Sequence, residues 1–509
     1  MIVGASVSGY SGTGYAEGMD TAGDYVEVTV NVPADGNYEL VIAYITQGGE
    51  KTNDLYINGS FSASVIFGNS SVWQEHNAGT VFLNAGDNTI RLQHNWGWML
   101  IDYFEIIPAV LPALDPPKTL SNPNPSIEAC RLMNFIVDHY GNSIIAGQQG
   151  RGRVDWIIAN TTKAPALVGF DMMDYSLSRI SRGASSDDVP EAIDWYLNEG
   201  GIVQFQWHWN APKDLHDVEG CEWWRGFYTS CTDFDVEYAM NNPSSEDYQF
   251  LINDIDWISS LLVQMRDAGV PVLWRPLHEA EGGWFWWGGK GPEPNKALWR
   301  LMWDRMTNYH GLDNLIWVWT TTDSPDALDW YPGDDYVDIV GPDIYMPGNT
   351  YGANTTTFYN VVNLFNGNKV VAFCENGPMP DPDACAVEQA WWSWFMTWED
   401  FVSRTDQNSL AHVQHVYNHL DVITLDNLPD WSTYPCEDFI ETPTYTYTYT
   451  ETETQTHTPT ETFTETFTDT ATATETPTHT ETPTETETET PGDTDTPTET
   501  STETQTFTA

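Results

Sequence analysis

Between about residues 127 and 440 the chain repeats one pattern: a short apolar run, then an amphipathic segment, then another apolar run. Eight strand candidates stand in order: Ser143–Ala146, Ala166–Phe170, Ile202–Trp207, Pro271–Leu277, Leu315–Trp319, Val337–Gly341, Lys369–Phe373 and His412–Tyr417. Helical periodicity marks Asp247–Ala268, Lys296–Tyr309 and Val387–Val402 between them. Strands this apolar must be covered on both faces, and helical crossovers do that for parallel strands. Eight such units in roughly 310 residues point to a (β/α)8 barrel. An open doubly wound sheet is the alternative, but the glycine-rich phosphate turn that usually marks it is missing here.

The rest of the chain divides around this region. Residues 1–109 alternate in short runs, such as Tyr25–Val30 and Tyr38–Ile42, separated by turn signals at Ala34–Asn37 and Ala85–Asn88. That spacing favours an all-β sandwich. Residues 110–126, with Pro112, Pro116, Pro117, Pro123 and Pro125, read as a linker. Residues 441–509 are nearly all Thr, Glu and Pro, without Lys or Arg, and have nothing to build a core from. They read as a disordered, extended tail: either a stalk for glycan or cell-surface attachment, or a plain acidic linker. The expected architecture is therefore multidomain: sandwich 1–109, linker 110–126, barrel 127–440 and tail 441–509.

Charge narrows the partners. The net charge is −55, from 19 Lys+Arg against 74 Asp+Glu. Nucleic acids and anionic membranes need basic surfaces, so both are excluded as partners. No apolar run is long enough to span a membrane. A neutral ligand and an extracellular, secreted, monomeric protein are expected. The start, Met1–Ser6, shows no leader sequence, so the reading frame is expected to be trimmed. The cysteines give one reading as disulfides Cys221–Cys231, Cys374–Cys385 and Cys130–Cys436, and another as buried free thiols.

Chemistry in a barrel of this kind sits at the C-terminal ends of the strands. Those ends carry Asp171, then Trp207-His208-Trp209-Asn210, then Arg275-Pro-Leu-His278-Glu279, then Asp343-Ile-Tyr345, then Cys374-Glu375-Asn376; the last runs on through Tyr417-Asn418-His419. Glu279 and Glu375, on the fourth and seventh strands, form the carboxyl pair that cleavage of a glycosidic bond requires. They can converge to the separation of about 5–5.5 Å used in double displacement with retention. The chain also has 24 Trp, more than a core needs, and aromatic faces in the open stack on sugar rings. Trp284, Phe285, Trp286 and Trp287 follow Glu279 directly; Trp284 is expected to reach the ligand and the other three to be mainly packing. Glu281 lies past the strand end and is expected to be supporting or solvated.

The segments Trp207–Pro212, Trp223–Tyr228, Arg275–Glu279 with Trp284–Gly288, Asp343–Tyr345 and Val422–Asp426 resemble glycoside hydrolase family 26. The resemblance implies a retaining (β/α)8 hydrolase, most often an endo-β-1,4-mannanase acting on mannan, glucomannan or galactomannan. It makes Glu279 the acid/base and Glu375 the nucleophile. Tyr345 would bond the nucleophile, Arg275 would hold the carboxylates, and His278 and Trp284 would shape the cleavage subsite. His208, Trp209, Trp223, Trp224, Phe227 and Asp343 would bind substrate. Cys374 before Glu375 departs from the family's usual Ser or Ala. No cofactor is expected for catalysis. β-1,3-Xylan or mixed-linkage β-glucan as substrate, or an idle barrel in a carbohydrate-binding protein, remain alternatives.

The sandwich, through Tyr10–Tyr15, Ala85–Ile90 and Leu100–Tyr103, resembles a carbohydrate-binding module of family 35, or its relative family 6. The resemblance implies glycan contact through Asn95, Trp96 and Trp98, and a structural calcium with Asp102 as ligand. The first strand, with further acidic ligands, is expected to lie before Met1.

Overall fold

The computed structural model describes residues 2–322 and 326–436, together with the backbone of Thr444–Glu451 and Ser501–Thr508. Residues Ile2 to Cys436 form one compact unit containing both the sandwich and the barrel.

The sandwich packs two antiparallel sheets. One orders Ile2–Gly4, Tyr15–Met19, Met99–Pro108, Gly36–Thr46 and Ser70–Leu83 side by side; the other orders Tyr25–Val32, Gly86–Trp96, Lys51–Ile57 and Ser60–Phe67. Every second residue points inward, as alternation demands. Leu40, Ile42, Leu55, Phe67, Leu83, Ile90, Leu92 and Met99 meet between the sheets.

In the second region eight parallel strands close on themselves. They are β1 (Ile144–Gln149), β2 (Leu167–Asp171), β3 (Ile202–Gln206), β4 (Val272–Arg275), β5 (Leu315–Thr321), β6 (Ile339–Ile344), β7 (Phe373–Asn376, with Val370–Val371 just before it) and β8 (Trp394–Thr397). Each pairs in parallel with the next, and β1 pairs with both β2 and β8, which closes the barrel. Long helices such as Glu246–Asp267 cover it, their apolar side chains Leu251, Ile255, Ile258, Leu262 and Met265 all buried.

Seven of the eight expected strands are found within a few residues. The eighth is not. His412–Tyr417 belongs to a helix, Leu410–Tyr417, capped by the Ser409 hydroxyl. The true β8 is Trp394–Thr397, inside the segment Val387–Val402 whose periodicity suggested a helix. A short buried strand and a buried helical turn are both continuously apolar, so periodicity does not separate them.

The sandwich rests on the helix Thr355–Leu364. The Thr356 hydroxyl donates to the Thr80 carbonyl at 2.9 Å and pairs with the Ser62 hydroxyl at 2.9 Å. Asn37 Nδ2 reaches the Glu388 carbonyl at 2.8 Å. Gly79 makes this approach possible: its φ is +99°, and a Cβ there would lie 2.7 Å from Asn360 Oδ1. The linker lies against the barrel, with Asp115 N–H donating to the Gly367 carbonyl at 3.1 Å.

Two disulfides form, Cys130–Cys436 and Cys221–Cys231. The expected Cys374–Cys385 pair does not: both are buried free thiols. Cys374 sits in β7 with its sulfur against Gly341 of β6, while Cys385 lies in the helix Pro382–Glu388. Of the expected tail, Thr444–Glu451 and Ser501–Thr508 pair antiparallel; its remaining residues lie outside those described.

Candidate active site

β4 ends in Arg275, and the chain then turns sharply to present Glu279. Leu277 and Glu279 both take left-handed backbone angles, φ 51° and 53°. Neither side chain favours that region, so the turn is held by its surroundings. Trp287 Nε1–H donates to the His278 carbonyl at 2.9 Å, and Trp286 N–H donates to the Phe227 carbonyl at 3.1 Å. Phe285, Trp286 and Trp287 are buried, as packing residues should be. Trp284 is the exposed member at 45 %, and its Nε1–H donates to Glu279 Oε2 at 2.9 Å.

Glu375 enters from β7 and is nearly fully buried. Tyr345, just past the end of β6, donates its hydroxyl to Glu375 Oε2 at 2.6 Å. The Arg275 guanidinium donates to Glu375 Oε1 and to Gln206 Oε1, and its other nitrogen to Asp343 Oδ2 at 2.8 Å. One buried cation therefore holds two carboxylates in place. Carboxylate oxygens of Glu279, Asp343 and Glu375 all lie within 4.8 Å of one another.

The electrostatics separate the two glutamates. Burial, and then the Glu375 carboxylate, raise the Glu279 pKa above the ordinary value, against the pull of the Trp284 donor and Arg275. Glu375 keeps a cation and a phenol as partners. Burial and the Glu375 charge also push the Tyr345 phenol far above its ordinary range, so it acts as a donor at any working pH. Asp343 is raised as well, by burial foremost; Arg275 opposes that shift but divides its charge between two acids.

A second cluster stands beside the pair. Asp171, at the end of β2, receives the His208 backbone N–H at 3.0 Å and contacts His208 Nδ1 at 2.6 Å. His208 Nε2 then meets His278 Nε2 at 3.2 Å. Phe227, Phe285 and Trp398 surround the His208 ring, with centroids 5.3, 5.6 and 5.9 Å away.

Trp223, Trp224 and Phe227 sit on a loop closed by Cys221–Cys231, and Trp224 is exposed. Two expected ligand contacts have buried side chains. Trp209 is fully buried, stacked on Trp207 at 4.1 Å, with its Nε1–H donating to Asp254 at 2.7 Å. It alternates away from His208 and packs beneath the site. The Asp343 side chain is buried, with Oδ2 accepting from Arg275 at 2.8 Å. Glu281 turns from the cleft to accept from Thr322 N–H at 2.7 Å and Thr321 at 3.1 Å. Two contributors were not singled out from the sequence. Trp398 follows β8 and was hidden by that strand's misplacement; Asp171 was visible only as an acid at a strand end.

In the sandwich, Trp96 is exposed at 59 % with the Lys51 ammonium 4.9 Å from its ring. Asn95 Nδ2 donates to Asp54 at 2.9 Å, and Trp98 is half-buried against a small cluster of Tyr15, Ile45 and Leu100. Asp102 accepts from Ser11 N–H at 2.7 Å and Ser11 Oγ at 3.0 Å. Among the described residues it belongs to no group of three or more acidic, His or Cys side chains. Elsewhere Asp381, Asp383 and His415 approach one another at the surface, with His419 Nε2 3.1 Å from Asp383. The acidic group at the barrel mouth is already served by Arg275.

Comparison with known proteins places these features. The model of glycosyl hydrolase family 26 matches residues 121–427, and that of carbohydrate binding module family 35 matches residues 1–109. A mannan endo-1,4-β-mannosidase of Thermothelomyces thermophilus is 44% identical over 425 residues, covering 83% of this chain and 87% of the relative. Mannan endo-1,4-β-mannosidase B of a Piromyces species is 34% identical, covering 84% and 75%. The crystal structure of a β-(1,4)-mannanase of Podospora anserina, with a family 26 domain and a family 35 module, is 44% identical. It aligns with a TM-score of 0.63 over 85% of this chain and 96% of that one. A ruminal family 26 endo-β-1,4-mannanase structure, 29% identical, aligns with a TM-score of 0.65 over 83% and 93%.

Proposed function

Because this chain belongs to glycosyl hydrolase family 26 and carries a family 35 carbohydrate-binding module, we propose that it is a secreted endo-β-1,4-mannanase that works by double displacement with retention. The observation that carries the mechanism is the spacing of Glu279 and Glu375, whose nearest oxygens lie within 4.8 Å. Retaining enzymes hold their carboxyl groups about 5–5.5 Å apart, whereas inverting ones leave about 6.5–9.5 Å for a water. The substrate is inferred from the relatives, whose names are those of mannan endo-1,4-β-mannosidases.

In the first step a Glu375 oxygen attacks the anomeric carbon while Glu279 gives its proton to the departing glycosidic oxygen. The C–O bond breaks and a glycosyl ester forms on Glu375. That ester is neutral, so the charge that raised the Glu279 pKa is gone, and Glu279 is now an ionised base. In the second step Glu279 takes a proton from water, the water oxygen attacks the same carbon, and Glu375 leaves. Tyr345 and Arg275 hold and aim Glu375; Asp343 and Gln206 keep Arg275 in place. Trp284 holds Glu279 by its indole and offers its open face to a sugar ring. His208, Trp223, Trp224 and Phe227 extend the lining.

The remaining organisation follows the same reading: module 1–109 with Trp96 as its glycan platform, linker 110–126, hydrolase 127–440 and tail 441–509. Two disulfides support an oxidising, extracellular setting. A panel of soluble mannan, galactomannan, β-1,3-xylan and mixed-linkage β-glucan, read by product size, tests substrate and endo action together. Release of a ladder of mannooligosaccharides from mannan is expected. Preferential cleavage of xylan or glucan would overturn the assignment.

A further inference from the structure

Asp171 stands outside the two-carboxylate chemistry, yet it is among the most tightly bound acids near it. Its two oxygens receive the His208 backbone N–H at 3.0 Å, His208 Nδ1 at 2.6 Å and Gln206 Nε2 at 3.1 Å. The first ties the carboxylate to the His208 backbone and the second ties it to the ring, which orients the imidazole. A carboxylate at Nδ1 requires a proton on Nδ1, which leaves Nε2 as the ring atom turned away from Asp171. Nε2 meets the Nε2 of His278 at 3.2 Å, with the rings edge to face at 4.5 Å. Two facing ring nitrogens bond only if one carries the proton and the other does not.

The charges around each ring decide which. Asp171 and Glu375 face His208, with Arg275 opposing them. His278 is fully buried and faces two cations, Arg275 and His208, with no carboxylate among the groups acting on it. His208 is thus the place for a cation and His278 the place for a neutral ring. Burial depresses the His278 pKa well below the ordinary value, while the carboxylates carry His208 above it in spite of burial. The shift at Asp171 agrees: it is lowered despite partial burial, with His208 as the leading favourable partner.

We propose that Asp171 is a positioning residue of the active site: it fixes both the ring and the positive charge of His208, so that His208 donates its Nε2–H and His278 accepts it. This rests on the hydrolase reading and deepens it. The His208 cation also faces Glu279, where its charge pulls against the raised pKa of the acid. Asp171 therefore sets part of the acid's proton affinity through an intermediary, without touching substrate.

The test uses the full chain labelled with 15N-histidine, and Asp171→Asn, which keeps shape while removing the charge. In the wild type, one ring, assigned as the resonance lost in His208→Gln, stays doubly protonated well above the ordinary histidine range, and a second, buried ring stays neutral throughout. In Asp171→Asn the first ring loses its proton at least about one pH unit lower, a tenfold loss of proton affinity. Its kcat/KM on mannan falls on the order of 10- to 100-fold, as expected when a supporting contact is lost at a site needing close positioning. The high-pH limb of its activity profile moves as well, which a merely structural loss would leave in place. Asp171→Glu, which restores the charge, recovers part of the rate. A wild-type His208 ring that titrates like a free imidazole overturns the proposal, and this needs no variant to fold. So does an Asp171→Asn enzyme with an unchanged His208 titration and activity within about twofold. Should the wild type cleave no mannan, the mannanase reading fails, while the ring titration still decides the role of Asp171.

Discussion

At the scale of single residues, two glutamates of the same chemical type stand in unlike surroundings. Glu375 is held by a guanidinium and a phenol; Glu279 has an indole N–H and a partly dry setting beside a like charge. The raised pKa of Glu279 gives a signed expectation. Its protonated form is the one that starts the reaction, so activity on mannan falls as pH rises through that raised value. Replacing Glu279 by Ala should lower turnover of mannan by about 10²–10⁴-fold. A substrate with a good leaving group needs no acid in the first step and should still glycosylate Glu375, without the high-pH limb. Stopped-flow release of an aryl leaving group checks both; complete inertness towards such a substrate counts against the acid/base role. The same raised pKa bears on stability. A buried acid whose pKa is raised by folding costs stability when ionised, so the cost is present above its folded pKa and relieved as pH falls through it. Strain and charge therefore gather where the chemistry is, at Leu277, Glu279 and Asp343.

At the scale of elements, the disulfides are where covalent chemistry meets the fold. Cys130–Cys436 joins the first helix of the barrel region to the end of its chain, closing a loop of 306 residues. Long loops lose the most unfolded-state freedom when closed, so Cys130→Ser should cost about 2–4 kcal/mol, seen as a lower thermal midpoint for the barrel. An unchanged midpoint would mean that the bond does no more than decorate a closed barrel. The elements also show what sequence can reveal. β1 to β7 were legible because each is an apolar run of strand length, with amphipathic segments between many of them. Glu279, Glu375, Arg275, His278, Tyr345 and His208 were legible as polar residues at strand ends, and all six meet at one mouth. β8 was not, because Trp391-Trp392-Ser393-Trp394-Phe395-Met396 is apolar but for Ser393 and carries no period of either kind. The burial of Trp209 was hidden for another reason: in Trp207-His208-Trp209 the chain is leaving the strand, and sequence does not say that both indoles turn inward. Cys374 and Cys385 are close in sequence, but a strand and a helix place them apart.

At the scale of the whole molecule, a glycan-binding sandwich is docked on the helix Thr355–Leu364 of a closed barrel. The mouth of that barrel holds the carboxyl pair. Trp96 is the largest open aromatic face of the module. Trp96→Ala should weaken retention on insoluble mannan while leaving the rate on a short soluble mannooligosaccharide unchanged; a depletion assay beside a soluble-substrate assay separates the two, and undiminished retention would move the platform elsewhere on the sandwich. The central claim is that Glu375 forms a covalent bond to the sugar, with Glu279 close enough to act twice. It is tested most directly by the anomer released first. Proton NMR of mannan or a mannooligosaccharide, recorded within the first minutes of hydrolysis and before mutarotation, should show the β-anomeric signal of the new reducing end appearing first. The α-anomer appearing first would mean inversion, and would contradict the account.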